Sequence, residues 1–142
     1  MADPDTVAAP AAAGRPHVSR LRVRYAETDQ MGVAYYANYL VWFEVARTDW
    51  LRAAGMTYRR LEEEGLFLPV IEAHCTYRAP ARYDDDLAVR AVARLVSAAR
   101  LAFDYDITGP EGAVAAGSTV HAFTDGRGRP VRVPATIKDL IG

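Results

Sequence analysis

The feature that most constrains the fold is an apolar helical pattern over residues 36–54. Apolar side chains, many of them aromatic, cover most of the circumference that a helix would have over this stretch. Only one narrow polar stripe remains, at spacings of three and four residues: Glu44, Arg47, Thr48 and Arg52. A helix that is apolar nearly all round is a buried helix. We therefore expect the rest of the chain to pack around this one.

Strand patterns flank the helix on both sides. Residues 20–25 alternate strictly before it. Leu21, Val23 and Tyr25 share one face and three arginines share the other, which is typical of a half-buried strand. A shorter helical pattern over residues 56–64 is followed by strand-like alternation over residues 67–79, 87–96, 100–107 and 113–124, with turns of hairpin length. This order predicts an α+β fold in which a curved antiparallel sheet wraps around one long central helix.

Length and composition favour a single domain. We divide the 142 residues into an Ala/Pro-rich disordered tail, residues 1–18, and one domain, residues 19–142. A net charge of −1 gives no reason to expect nucleic acid as a partner. The sequence has no run of about 18 apolar residues, so we expect no membrane span. Cys75 is the sole cysteine, which excludes an internal disulfide and favours a reducing compartment, the cytoplasm.

The junction between the first strand and the helix carries the best candidate for chemistry. Asp29 follows the strand, Gly32 permits a tight bend, and the helical pattern begins near Tyr36. The first N–H groups of a helix lack intrahelical partners, so those near Tyr36 can polarise a carbonyl. The helix end also favours a charged Asp29, which can act as a nucleophile or as a general base. The simpler alternative is that Asp29 only caps the helix, a role open to Asn38 as well.

Two further carboxylates lie near this junction. Glu44 has two interpretations of equal weight: a surface residue paired with Arg47 or Thr48, or a group that faces the site from a neighbouring subunit. Glu27 is interpreted as a solvated strand end. The histidines have no second histidine or cysteine at metal-ligand spacing, so we expect no metal site.

Three motifs in this order carry a resemblance to a known family. The most specific covers residues 25–47 and reads Y-A-E-T-D-Q-M-G-V-A-Y-Y-A-N-Y-L-V-W-F-E-V-A-R. The second is Y-R-A-P at residues 77–80, followed by an aspartate-rich turn at residues 84–86, and the third is G-R-P-V-R-V-P at residues 128–134. Together they resemble the hotdog-fold acyl-CoA thioesterases, in particular the 4-hydroxybenzoyl-CoA thioesterase and YbgC-like branch.

The resemblance implies a hotdog fold and the hydrolysis of an acyl thioester to a carboxylate and a thiol. It places the catalytic aspartate at Asp29 and the carbonyl-polarising backbone N–H at Tyr36. Many YbgC-like members carry histidine at the latter position, so any imidazole role is lost in this chain, whereas the N–H role is retained. It also implies a homodimer or homotetramer with active sites at subunit interfaces. No cofactor is expected beyond the coenzyme A of the substrate itself.

Substrate contacts are expected along the same stretch and at two arginines. These residues are Gly32, Tyr35, Asn38, Arg78 and Arg129, the arginines because a guanidinium suits the phosphates of coenzyme A. The sequence leaves open the acyl group, and whether the carrier is coenzyme A or an acyl carrier protein. A non-catalytic acyl-thioester-binding module remains an alternative. A hotdog dehydratase is disfavoured, because no histidine follows Asp29 within the loop.

Overall fold

The computed structural model describes residues 14–141, and its elements follow the predicted order. Strand β1 and helix α1 come first, then a short helix α2, four more strands and a terminal helix α3. Their bounds are β1 His17–Arg22, α1 Asn38–Ala53, α2 Tyr58–Glu63, β2 Val70–Tyr77, β3 Asp86–Ser97, β4 Arg100–Gly109, β5 Gly112–Ala122 and α3 Ala135–Ile141. The chain after β1 also forms a single 3-10 turn, Tyr25–Glu27.

The five strands form one antiparallel sheet in the order β1-β3-β4-β5-β2. The sheet curves around α1, which buries an apolar face against it: Tyr39, Trp42, Phe43, Ala46, Trp50 and Leu51. Burial of this face, rather than intrinsic helix propensity, fixes where α1 lies. The predicted α+β hotdog architecture, with a curved antiparallel sheet around one long helix, is confirmed.

A close contact between α1 and the sheet sets the depth of the helix. The ring of Phe43 stacks on that of Tyr105, with centroids 4.2 Å apart and planes 6° from parallel. Gly117 on β5 leaves the space for Phe43, because a Cβ there would lie 2.7 Å from the ring and would also meet the carbonyl oxygen of His74. A glycine inside a strand often marks such a close approach.

The predicted boundary between tail and domain is wrong at its last residues. Strand β1 begins at His17, inside the stretch assigned to the tail. Before it, the N–H of Gly14 donates to the carbonyl of Ala93 at 2.8 Å, and the Trp50 indole donates to the carbonyl of Arg15 at 2.6 Å. These contacts use backbone atoms, which side-chain composition does not reveal. The remainder of the predicted tail, residues 1–13, lies outside the described residues.

Two details of α1 and β1 also differ from the prediction. Strand β1 ends at Arg22, and Tyr25 opens the 3-10 turn with 77% of its surface exposed. Helix α1 is not apolar and buried all round, because Leu40, Val41 and Val45 are 39–48% exposed along one side. Within residues 14–141, no helix combines the length and apolar character needed to cross a membrane.

Candidate active site

A tight turn places Asp29 between β1 and α1. The N–H of Gly32 donates to the Asp29 carbonyl at 2.9 Å, and the Asp29 N–H donates to the Val33 carbonyl at 3.0 Å. Gly32 has a φ of +77°, a conformation that costs a side-chain-bearing residue energy but costs glycine little. The bend predicted at Gly32 is therefore present, and it turns the chain back towards the helix.

The carboxylate of Asp29 is only half engaged by this turn. Its Oδ1 accepts the N–H of Met31 at 2.9 Å, whereas Oδ2 has no hydrogen-bond partner among residues 14–141. The turn thus orients the carboxylate and leaves one oxygen available. Asp29 does not cap α1, which excludes the simpler interpretation of this residue.

The start of α1 leaves backbone donors unused. Ala37 already has helical dihedral angles, φ −68° and ψ −22°, and the first backbone N–H bonded at the helix start is that of Asn38, to the Tyr35 carbonyl at 2.9 Å. In the described part of the chain, the N–H groups of Tyr36 and Ala37 donate to no protein acceptor. Such groups are suited to bind an oxyanion.

Asn38 was predicted to cap α1, but its side chain does not do so. No side chain caps α1, and the Asn38 amide instead donates through Nδ2 to the carbonyl oxygen of Glu27 at 2.8 Å. Because Asn38 lies just inside the helix, its side chain is placed to reach back to the preceding loop. It joins the helix start to the strand exit.

Asp29 and Tyr36 line one pocket of about 310 Å³. The wall opposite the loop comes from the end of β2 and the segment after it. The lining residues are Asp29, Met31, Val33, Ala34, Tyr36, Tyr39, Tyr77, Arg78, Ala79 and Pro80. Of the predicted site residues, Asp29, Tyr36 and Arg78 are therefore brought together within one protomer.

The other predicted residues lie outside this lining. Gly32 forms the bend, and the Tyr35 ring lies beside that of Tyr36, with centroids 4.7 Å apart. Arg129 belongs to a turn in which Asp125 accepts its N–H at 3.0 Å, away from the pocket. Glu44 is exposed on α1, with its carboxylate 3.8 Å from the Arg47 guanidinium.

Sequence reasoning was wrong about Glu27, which is a buried carboxylate and not a solvated strand end. Only 5% of its surface is exposed. Oε1 accepts the N–H of Arg24 at 2.8 Å, and Oε2 accepts the indole N–H of Trp42 at 2.9 Å. The available signal was the three-residue spacing from Arg24 to Glu27, which suits a local cap, but the strand alternation concealed it.

Two phenols that line the pocket, those of Tyr39 and Tyr77, are protonated at neutral pH. Burial raises the pKa of Tyr77 to about 12, and burial also raises the pKa of Tyr39. The Tyr77 hydroxyl can therefore donate, and it does so to the Tyr36 carbonyl oxygen at 2.9 Å. Burial likewise raises the pKa of the Cys75 thiol, which makes a thiolate nucleophile unfavourable. Among residues 14–141, no three His, Cys, Asp or Glu side chains are grouped to hold a metal ion.

The chain is similar to several proteins that are named thioesterases. YneP of Bacillus subtilis is 39% identical over 98 residues, which cover 68% of this chain and 71% of YneP. The acyl-CoA thioesterase YbgC of Haemophilus influenzae is 33% identical over 83% of this chain and 88% of its own length. The crystal structure of a DHNA-CoA thioesterase from Staphylococcus aureus superimposes with a TM-score of 0.79 at 32% identity, covering 82% of this chain and 80% of that one.

The family itself is identified over nearly the whole described chain. The sequence profile of the thioesterase-like superfamily matches residues 23–141, which include the Asp29 turn, the start of α1 and the pocket wall after β2. The match and the shared fold together show that this chain belongs to the thioesterase-like superfamily.

Proposed function

We propose that this protein is an acyl-CoA thioesterase in which Asp29 is the catalytic carboxylate and the N–H of Tyr36 polarises the thioester carbonyl. One observation carries the proposal: Asp29, whose carboxylate has a free oxygen, and Tyr36, whose backbone N–H is unused at the helix start, line the same pocket. The family membership, and relatives that carry the name acyl-CoA thioesterase, support the same reaction.

The reaction follows from these two groups. The carbonyl oxygen accepts hydrogen bonds from the free N–H groups of Tyr36 and Ala37, which stabilise the negative charge that develops on it; each such donor typically contributes about 10²–10³ in rate. Asp29 Oδ2 then attacks the carbonyl carbon, the C–S bond breaks, and water hydrolyses the resulting anhydride. Alternatively, Asp29 takes a proton from a water that attacks directly. Both routes release a carboxylate and a free thiol.

The walls of the pocket fit an acyl chain linked to coenzyme A. Tyr36, Tyr39 and Tyr77 supply aromatic surface, and the rings of Tyr39 and Tyr77 meet edge to face at 4.8 Å. Arg78 lies in the same lining and offers a guanidinium to a phosphate of coenzyme A. In this proposal the coenzyme A of the substrate is the sole cofactor-like group, and the enzyme acts in the cytoplasm.

We further propose that the enzyme works as a homodimer or a dimer of dimers. The exposed apolar side of α1, made of Leu40, Val41 and Val45, is an unusual surface for an isolated protomer. Strand β2 is an edge of the sheet, with Val70 and Ile71 exposed, and open edges need cover. A partner on this side would also cover Glu44, which is the arrangement required for Glu44 to face a neighbouring site.

The decisive experiment replaces Asp29 by asparagine and measures thiol release from short, long and aromatic acyl-CoAs. We expect the wild type to release thiol and Asp29→Asn to lose activity while keeping its unfolding temperature. Asp85→Asn is a matched control, because Asp85 also accepts a loop N–H, that of Arg82 at 2.9 Å, but does not line the pocket. Full activity in Asp29→Asn would refute the role of Asp29. No turnover of any thioester by the wild type would favour a binding module.

A further inference from the structure

Glu27 joins three separate parts of the site's framework through its side chain and its backbone. The carboxylate binds the Arg24 N–H at the exit of β1 and the Trp42 indole in the body of α1, at 2.8 and 2.9 Å. The Arg24 guanidinium lies 3.5 Å from the same carboxylate. A buried carboxylate with both oxygens bound fixes the groups around it, because leaving any of them unpaired is costly.

The backbone of Glu27 makes the second set of connections. Its carbonyl oxygen accepts the N–H of Tyr35 at 2.8 Å and the side-chain amide of Asn38 at 2.8 Å. Tyr35 and Asn38 flank the two residues whose N–H groups are unused, and Asp29 follows Glu27 by two residues. One residue therefore holds both halves of the site, the carboxylate turn and the helix start.

We propose that Glu27 is a positioning residue that fixes the Asp29 carboxylate relative to the N–H groups of Tyr36 and Ala37. The proposal rests on the proposed function of Asp29 and deepens it. Glu27 does not line the pocket, so it acts through the loop and not on the substrate. Misplacing a reacting group by 1 Å can cost about 10²-fold in rate, which makes a rigid link between these two halves valuable for catalysis.

Other anchors do not replace this link. The N–H of Ala34 donates to the Ala81 carbonyl at 2.7 Å, and Thr28 pairs with Ala34 across the loop. These contacts tie the loop to the segment after β2 and to itself, but not to α1. Apart from the local backbone bonds at the helix start, such as that of the Asn38 N–H to the Tyr35 carbonyl, the hydrogen bonds between the Asp29 loop and α1 within residues 14–141 are those of Glu27, to Trp42 and Asn38.

The test is Glu27→Gln, with steady-state kinetics on the acyl-CoA that the wild type turns over best. Glutamine keeps the shape but places an NH₂ group against either the Arg24 N–H or the Trp42 indole, so one hydrogen bond is lost. We expect kcat to fall at least ~10-fold while KM changes less than about twofold, because the loss concerns alignment at the transition state. The pH at which activity is half-maximal should not move.

Ser19→Ala is the matched control, because Ser19 is buried and its hydroxyl bonds the Asp49 carboxylate at 2.7 Å, which links β1 to a distant part of α1. We expect it to lower the unfolding temperature and to keep the wild-type kcat. A wild-type kcat in folded Glu27→Gln, or equal losses of kcat in both variants, would overturn the proposal. Activity in Asp29→Asn would instead refute the proposed function, whatever Glu27→Gln does.

Asn38→Asp carries the same test if Glu27→Gln fails to fold. Aspartate keeps the side-chain shape of Asn38, which is only partly buried, so the variant should fold. The substitution replaces the amide that donates to the Glu27 carbonyl by a carboxylate, which can only accept. A fall in kcat with KM held within about twofold would support the positioning role. An unchanged kcat would contradict it.

Discussion

The hydroxyl of Tyr77, at the end of edge strand β2, donates a 2.9 Å hydrogen bond to the carbonyl oxygen of Tyr36. The same peptide segment contributes the unused Tyr36 N–H at the start of α1. Tyr77 thus braces the proposed oxyanion donor from the opposite wall of the pocket. A residue on β2, far from Asp29 in sequence, takes part in fixing the helix start.

Tyr77→Phe tests this brace. Phenylalanine keeps the ring contact with Tyr39 but removes the hydrogen bond, whose net worth is about 0.5–1.5 kcal/mol. We expect kcat, measured by thiol release, to fall about 2- to 10-fold, and the unfolding temperature to fall by no more than about 8 °C. Tyr83→Phe is the control, since the Tyr83 ring is exposed and does not line the pocket. Equal kcat values in Tyr77→Phe and Tyr83→Phe would show that the hydrogen bond from Tyr77 to the Tyr36 carbonyl does not contribute to catalysis.

The sequence was sufficient to predict the fold and the bend at Gly32 before α1. Several segments with strand alternation and one strongly apolar helix leave few ways to bury the apolar surface. A sheet wrapped around that helix was therefore the expected fold. The turn at Gly32 and the helix start after Tyr36 are local features, so their positions could be predicted, whereas the catalytic roles of Asp29 and Tyr36 came from the family resemblance and stay predictions. The pocket wall from Tyr77 to Pro80 could be placed beside them only by the structure, because it depends on the position of β2 at the sheet edge.

Errors arose where tertiary contacts override a local pattern. Alternation predicted that Glu27 ends a solvated strand, but the indole of Trp42, 15 residues later, provides a buried partner. The position of Asn38 predicted a helix cap, but its side-chain amide donates instead to the backbone carbonyl of Glu27 in the preceding loop. Neither contact has a signature in the order of residues, because each joins the loop to a helix whose depth is set by the sheet.

Gly117→Ala should destabilise the fold through the contact between α1 and the sheet. The new Cβ would meet the Phe43 ring at 2.7 Å and the backbone of β2 at His74, so ring and strand must shift. Overpacking of this kind typically costs about 1–3 kcal/mol of unfolding free energy, measurable by urea denaturation. In Gly126→Ala the nearest atom is 3.7 Å away, on the Phe67 ring, so stability should be nearly unchanged. A loss in Gly126→Ala as large as that in Gly117→Ala would contradict this explanation.

Acidification should destabilise the protein through His121. The side chain is fully buried, with Nδ1 3.1 Å from the Leu68 carbonyl oxygen and Nε2 2.8 Å from the Thr119 hydroxyl. Burial lowers its pKa to about 4. The unfolded chain, with a pKa near 6.5, binds the proton first, so stability is present above pH 6.5 and is lost as the pH falls towards 4. The loss from this residue is ~3 kcal/mol.

The measurement is urea denaturation at pH 7 and at pH 4.5, with His121→Gln as the comparison. Glutamine does not titrate, so the variant should be less stable than the wild type at pH 7 but should lose less unfolding free energy on acidification. The carboxylates titrate in both proteins, and their contribution cancels when the two losses of unfolding free energy are compared. If both proteins lost the same unfolding free energy between pH 7 and pH 4.5, His121 would not be the cause of the acid destabilisation.

Val41→Glu tests whether a partner covers the exposed side of α1. Val41 is 48% exposed beside Leu40 and Val45, and a carboxylate buried there in an interface would lose its hydration. We expect the wild type to sediment as a dimer or tetramer and Val41→Glu as a monomer. Val96→Glu is the matched control, because Val96 is 47% exposed but lies on β3. We expect Val96→Glu to sediment as the same oligomer as the wild type.

The same variant tests whether the active site needs the partner. If Glu44 faces a neighbouring site, monomeric Val41→Glu should lose activity together with assembly, and Glu44→Gln should lower kcat within an intact oligomer. Glu44→Gln should hardly alter stability, because the Glu44 carboxylate is exposed and lies 3.8 Å from the Arg47 guanidinium, and an ion pair with a solvated partner is worth about 0–1 kcal/mol. A monomer that hydrolyses acyl-CoA at the wild-type rate would show that each protomer holds a complete site, and Glu44 would then be a surface residue.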